Sequence, residues 1–120
     1  MTRATPGLFI TGTNTEVGKT YIASLIIQAL VRSGIRVGVY KPAASDCPLE
    51  NGSHRSADAQ QLWEAAGQPG SLEQVCPQRF FAPLAPHLAA KAEGLQVDAK
   101  LLRTGLSYWQ ENYDFVVVEG

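Results

Sequence analysis

The residues best equipped for chemistry in this chain form one continuous stretch, Gly12-Thr13-Asn14-Thr15-Glu16-Val17-Gly18-Lys19-Thr20. Its glycines let successive main-chain N–H groups turn toward one point, and the amino end of a following helix adds about half a positive charge there. That combination suits a polyphosphate. In a phosphate-binding loop the lysine reaches the β and γ phosphates and the next hydroxyl binds Mg²⁺, which assigns those roles to Lys19 and Thr20. The spacing departs from GxxxxGKT by one residue, because Thr13 stands where the first glycine belongs and Gly12 comes one place early. A solvated Gly-Lys-Thr turn capping an ordinary helix is the bland alternative. Against it stands the apolar run Leu8-Phe9-Ile10, which supplies the strand that such a loop needs.

Further candidates stand at positions set by the elements around them. Leu8 to Thr11 is nearly continuous in apolar residues and predicts a central parallel strand covered on both faces. From Lys19 to Ser33, the residues Tyr21, Ile22, Leu25, Ile26, Ala29 and Leu30 recur at helical spacing, predicting one buried stripe that ends at Gly34. Ile35 to Tyr40 reads as the next strand, so the first unit is a right-handed strand-helix-strand crossover. Lys41 follows at the strand's carboxyl end, where ligands bind in open α/β sheets, although alone it reads as a solvated lysine.

Cys47 to Ser56 is polar, contains Gly52 and predicts a mobile loop carrying His54 and Arg55. Ser56 is placed to cap a helix over Ala57 to Ala66, with Asp58 in its first turn. Gln68 to Leu84 is broken by Pro69, Gly70, Pro77 and Pro83, which predicts irregular chain with at most short extended pieces. Pro86 opens a brief helix to Glu93 whose first turn contains His87, by residue type a partly exposed polar group. Val97 to Asn112 predicts a second long amphipathic helix through Leu101, Leu102, Leu106 and Trp109, with Asp98 near its start. Phe115 to Gly120 is a buried strand with Glu119 at its carboxyl edge. The expected fold is α/β: a P-loop NTPase-type parallel sheet flanked by helices, one domain over residues 1–120. It ends on a core strand directly before a functional loop, which predicts truncation at the carboxyl end.

The formal net charge of −1 leaves no electrostatic footprint for nucleic acid and no polybasic surface for a membrane. Small molecules are the expected partners. Residues 1–7 lack the pattern of a signal peptide, and the cytoplasm is the expected setting. Cys47 and Cys76 lack the spacing of a metal cage or a redox pair and are expected to be bystanders.

Several separated stretches together resemble the amino-terminal half of dethiobiotin synthetase. Gly12 to Thr20 resembles that family's phosphate loop, which is one residue longer than usual, and Lys41 to Ser45 its Lys-Pro-x-x-Ser stretch. Ala57-Asp58-Ala59 is similar to its acidic helix start, Pro86-His87 to its substrate-side helix, and Val118-Glu119-Gly120 to the opening of its Val-Glu-Gly-Ala-Gly-Gly loop. Two departures stand out: Asp46 replaces a common glycine, and Ala85 replaces a hydroxyl residue.

The resemblance implies an ATP-dependent cyclo-ligase of biotin biosynthesis that closes the ureido ring of dethiobiotin from 7,8-diaminononanoate and CO₂. It implies nucleotide contacts from Thr13, Asn14, Thr15, Glu16, Val17, Gly18, Lys19, Thr20, Asp58 and Glu119. Mg²⁺ is implied on Thr20, Asp58 and Glu119, whose hard oxygens suit it. Thr15, Lys41 and Ser45 are implied to hold the diamine and Pro86-His87 its carboxylate, with Lys19 and Lys41 acting on the transferring phosphate in a homodimer. By residue type alone, Asp58 also reads as a helix cap and Glu119 as a solvated strand end. The rival readings are a truncated nucleotide-binding fragment without turnover and another amidoligase-like or partitioning P-loop ATPase. Partitioning ATPases carry an early loop lysine, and none lies between Gly12 and Gly18.

Overall fold

The computed structural model describes residues 5–11 and 17–120, the side chain of Val17 excepted. Thr13, Asn14, Thr15 and Glu16 therefore lie outside the described residues.

Strands β1 (Gly7–Ile10), β7 (Phe115–Glu119) and β2 (Val37–Tyr40) form a three-stranded parallel sheet in the order β1-β7-β2. The expected parallel sheet flanked by helices is borne out. Among the described residues its middle strand, however, is β7 rather than the Leu8 to Thr11 segment. β7 is paired on both sides and brings three successive valines, Val116 to Val118, into the core. Among the described residues β1 pairs with β7 alone, and Phe9 is 61% exposed.

Helix α1 (Val17–Arg32) packs on β7 and β2 through Ala23 and Ile27, with Thr20 and Ser24 also buried. The stripe expected from Tyr21, Ile22 and Leu25 is on the outside, each of these residues being exposed. The helix is apolar around much of its girth, so spacing alone does not select a face. The sheet takes the side with small residues, where backbones approach closely.

Helix α5 (Ala99–Asn112) meets β2 through two reciprocal glycines. A Cβ on Gly38 of the strand would come within 2.8 Å of Trp109 Cε3 on the helix, and one on Gly105 of the helix within 2.9 Å of Tyr40 Cζ on the strand. Each element thus cedes a side chain where the other presents a large ring. Tyr40 Oη donates to the Leu102 carbonyl at 2.9 Å, and Trp109 Nε1 to the Gln74 carbonyl at 3.0 Å. Burial, aided by nearby Cys76, pushes the Tyr40 phenol up to about 12. Asp98 caps α5 by accepting from Leu101 N at 3.0 Å.

Between these long elements the chain is more regular than its composition suggests. β3 (Ala43–Ala44) is followed by β4 (Leu49–Glu50) and β5 (Ser53–His54), which pair as a hairpin where a mobile loop is expected. Asn51 and Gly52 have φ of 51° and 82°, and Asn-Gly is the pair whose left-handed conformations close such a hairpin. Ser56 caps α2 (Ala57–Ala65) through a 3.1 Å bond from Ala59 N, as expected. The stretch expected to be irregular contains α3 (Leu72–Val75), closed by a capping box between Ser71 and Gln74, and β6 (Gln78–Arg79), which pairs with β3. The Ser-x-x-Gln signature is present in the sequence but is hidden by Pro69 and Gly70 beside it. α4 (Pro86–Ala92) starts on proline with no side-chain cap from Ala85, and it buries Ala89 and Ala90 against Phe80 in a second, small cluster. Asp46 adopts φ 56°, a conformation that favours glycine and that aspartate tolerates. Among the described residues no helix is long and apolar enough to cross a membrane.

Candidate active site

The register of the sheet assembles the site. Ile10 of β1 pairs with Glu119 of β7, and Tyr40 of β2 pairs with Val118, so Lys41 leaves its strand level with Glu119. The loop after β1 starts at that same level and returns as α1, whose first turn carries Lys19 and Thr20. Three parallel carboxyl ends and one helix start therefore meet at one edge.

Glu119 is fully buried there. Its Oε1 accepts from Thr20 Oγ1 at 3.1 Å and from Lys41 Nζ at 3.0 Å. The Lys41 side chain is itself only 11% exposed, so the pair is largely withdrawn from water, where losing either partner is expensive. Glu119 Oε2 is buried without a hydrogen-bond partner among the described residues. A carboxylate oxygen left without a donor is costly unless a proton or a cation satisfies it. With the Thr20 hydroxyl beside it, this oxygen offers the hard-donor chemistry that Mg²⁺ takes. Lys19 Nζ donates to the main-chain oxygen of Gly120, so the ammonium groups of both candidate lysines contact the end of β7.

The solvated reading of Lys41 and Glu119 is thereby excluded. Sequence reasoning missed that they pair with each other, although a parallel register between their strands implies it. The other candidates are less closely joined. Asp58 sits half-buried in the first turn of α2, which packs on α1 and β2, but bonds to none of the other candidates among the described residues. Ser45 is half-buried just past β3, while Pro86 and exposed His87 open α4 beside the second cluster. Val17 and Gly18 begin α1. His54 has a structural partner, its Nδ1 donating to the Cys47 carbonyl at 2.9 Å.

Cys47 and Cys76 are free and fully buried. Burial pushes the Cys76 thiol up to about 12 and raises that of Cys47, so both stay protonated and poorly nucleophilic. Among the described residues no group of three or more His, Cys, Asp and Glu side chains forms a metal cage. Any cation here therefore depends on few protein oxygens, as Mg²⁺ does when nucleotide phosphates complete its shell.

Residues 6–120 match a family model described as an AAA domain. The chain belongs to this AAA-domain family. Within it, similarity is strong to curated proteins named ATP-dependent dethiobiotin synthetase BioD. The protein from Rhodopirellula baltica is 49% identical over 114 residues, covering 93% of this chain and 44% of that protein. The relative from Vibrio cholerae is 40% identical over 113 residues, covering 94% and 49%, and that from Photobacterium profundum 36% over 116 residues, covering 97% and 53%. The chain thus spans about half the length of the curated relatives it matches.

Proposed function

We propose that this chain carries the phosphate and metal end of an ATP-dependent cyclo-ligase that makes dethiobiotin from 7,8-diaminononanoate and CO₂. The observation that carries the reading is the buried Glu119 carboxylate, held between Thr20 and Lys41 at the carboxyl edge of the sheet with one oxygen unpartnered. Similarity to proteins named for this activity over more than nine-tenths of the chain supports it.

In the reaction, one amine of the diamine adds to CO₂ and loses a proton, giving a carbamate. A carbamate oxygen attacks the γ phosphorus of ATP and ADP leaves. The second amine attacks the carbonyl carbon of the resulting carbamic-phosphoric anhydride, expelling phosphate and closing the urea ring. The second step transfers a phosphoryl group and the third expels phosphate, so the protein accelerates them mainly by positioning and charge neutralisation. Lys19 and the main-chain amides of residues 13–18 take the β and γ phosphates. Lys41 faces the carbamate and the γ phosphate from the other side. Thr15 and Ser45 orient the diamine, and Pro86-His87 its carboxylate. Thr20, Asp58 and Glu119 are the oxygens that would hold Mg²⁺, which when bound draws charge from the β and γ phosphates. Glu16 needs a compensating cation or amine to sit in such a loop. A homodimer and a cytoplasmic setting belong to the same reading.

The test is ADP release that depends on both the diamine and bicarbonate. Lys19→Ala and Lys41→Ala should each lower it by on the order of 10²–10³-fold. Unchanged rates in both variants overturn the assignment. A second reading, nucleotide binding without turnover, draws on Phe9, Tyr21 and Ile22, which are 61%, 56% and 56% exposed and leave β1 and α1 with uncovered apolar surface. Calorimetric titration separates the two, since Mg-dependent ATP affinity without ADP release is the mark of the second.

A further inference from the structure

Lys41 and the metal ion of the proposed reaction lay claim to the same carboxylate. Lys41 Nζ stands 3.0 Å from Glu119 Oε1, and Thr20 Oγ1, the other proposed metal ligand, stands 3.1 Å from that same oxygen. The two contacts differ in what a dication does to them. A hydroxyl has one proton and two lone pairs, so Thr20 can donate to Glu119 while offering a lone pair to a metal. An ammonium has only donors. Placed against a carboxylate that also binds a dication, it meets strong repulsion in a setting where Glu119 is fully buried and Lys41 nearly so.

We propose that Lys41 is the counter-ion which a divalent cation displaces from Glu119, so that metal entry is what frees the reacting lysine. This rests on the reading of Thr20 and Glu119 as metal ligands. Lys41 lies one residue beyond β2 on a flexible stem, so its ammonium can leave Glu119 without moving the strand. While paired, its charge neutralises Glu119 and is not spent on a phosphate. Once displaced, it is available to the carbamate and the γ phosphate on the other side. Metal binding and engagement of Lys41 thereby become one coupled event: the lysine acts only when the nucleotide arrives with its metal.

The experiment measures Mn²⁺ binding to the nucleotide-free protein by the electron paramagnetic resonance of the free ion, at mildly alkaline pH. Lys41→Met removes the competing charge at similar volume and should tighten Mn²⁺ binding by about 10-fold or more, since a buried carboxylate without its partner gains most from a new cation. Lys41→Arg keeps the charge and should bind no more tightly than the parent. Glu119→Gln should abolish binding. Equal or weaker binding by Lys41→Met, with Glu119 still required, overturns the competition and leaves the metal assignment standing. Parent-like binding by Glu119→Gln overturns the metal assignment and the competition together. Should Lys41→Met fail to fold, the parent protein decides by ¹⁵N resonance of its lysine ammonium groups, with Lys41 assigned through Lys41→Arg. Saturating Mg²⁺ should move the Lys41 signal from a protected to a rapidly exchanging state, and a signal that does not move overturns the proposal.

Discussion

The edge of the sheet and two exposed segments, the β4–β5 hairpin and residues 81–92 that carry α4, treat their polar and apolar groups in opposite ways. At the sheet edge Glu119 is fully buried and Lys41 nearly so, and their positions follow from strand register. In these exposed segments the large apolar residues Leu49, Phe81 and Leu88 are 62%, 57% and 46% exposed, the hairpin follows from its Asn-Gly turn, and α4 starts on proline without a side-chain cap. The difference teaches where geometry is enforced. A buried ion pair is placed by every strand on which it depends, whereas a hairpin and a seven-residue helix are placed by a few local bonds. Chemistry that needs charges held to a fraction of an ångström suits the first region.

The comparison breaks most visibly at the ion pair. Lys41→Met should destabilise the fold by about 3 kcal/mol, because it strands a buried carboxylate, and adding Glu119→Gln should recover much of that loss. Urea unfolding of the single and double variants reads both. If Lys41→Met costs nothing, the sheet edge is no better enforced than the exposed segments.

Next in size is the contact between β2 and α5. Gly105→Ala should cost about 2 kcal/mol in the same assay, because the new methyl displaces the Tyr40 ring and its bond to the Leu102 carbonyl. A pH series gives a further check on this packing. Burial raises the Tyr40 and Cys76 pKa values to about 12, above the ordinary values of 10.0 and 9.0. A group whose folded pKa is raised contributes stability that is fully present below its unfolded pKa and is lost as pH climbs to the folded one. Stability should therefore be steady to about pH 9 and fall between about pH 9 and 12, with Tyr40→Phe reducing the slope above pH 10.

The smallest effect belongs to α4. Ala85→Ser supplies the missing cap of α4 and should stabilise by about 0.5–1 kcal/mol, seen as a higher Tm. A gain larger than the loss in Lys41→Met would invert the contrast between the two regions.

Much of this was legible from local signals. Strand, glycine turn, Lys-Thr and helix stand in the order the sheet requires, and the Ser56 and Asp98 caps act over three residues, a range that sequence displays. The capping box at Ser71 was equally local and was obscured only by neighbouring breakers. Legibility failed where a choice among faces or partners was needed. Nothing in the spacing of α1 says that Ala23 and Ile27 go inward and Tyr21, Ile22 and Leu25 outward, because a helix apolar on several sides leaves the decision to the surface that receives it.

The sequence by itself determined which residues carry charge and hydroxyl groups, where the long strands and helices lie, and that a phosphate-loop pattern stands between the first two of them. Only the tertiary structure decided that Lys41 and Glu119, 78 residues apart, share one buried bond with Thr20, and that β7 rather than β1 lies in the middle. The physical reason is range. Propensity, capping and turn chemistry act within about one helical turn, whereas the meeting of distant charges is set by strand order and register, which exist only once the chain has closed on itself.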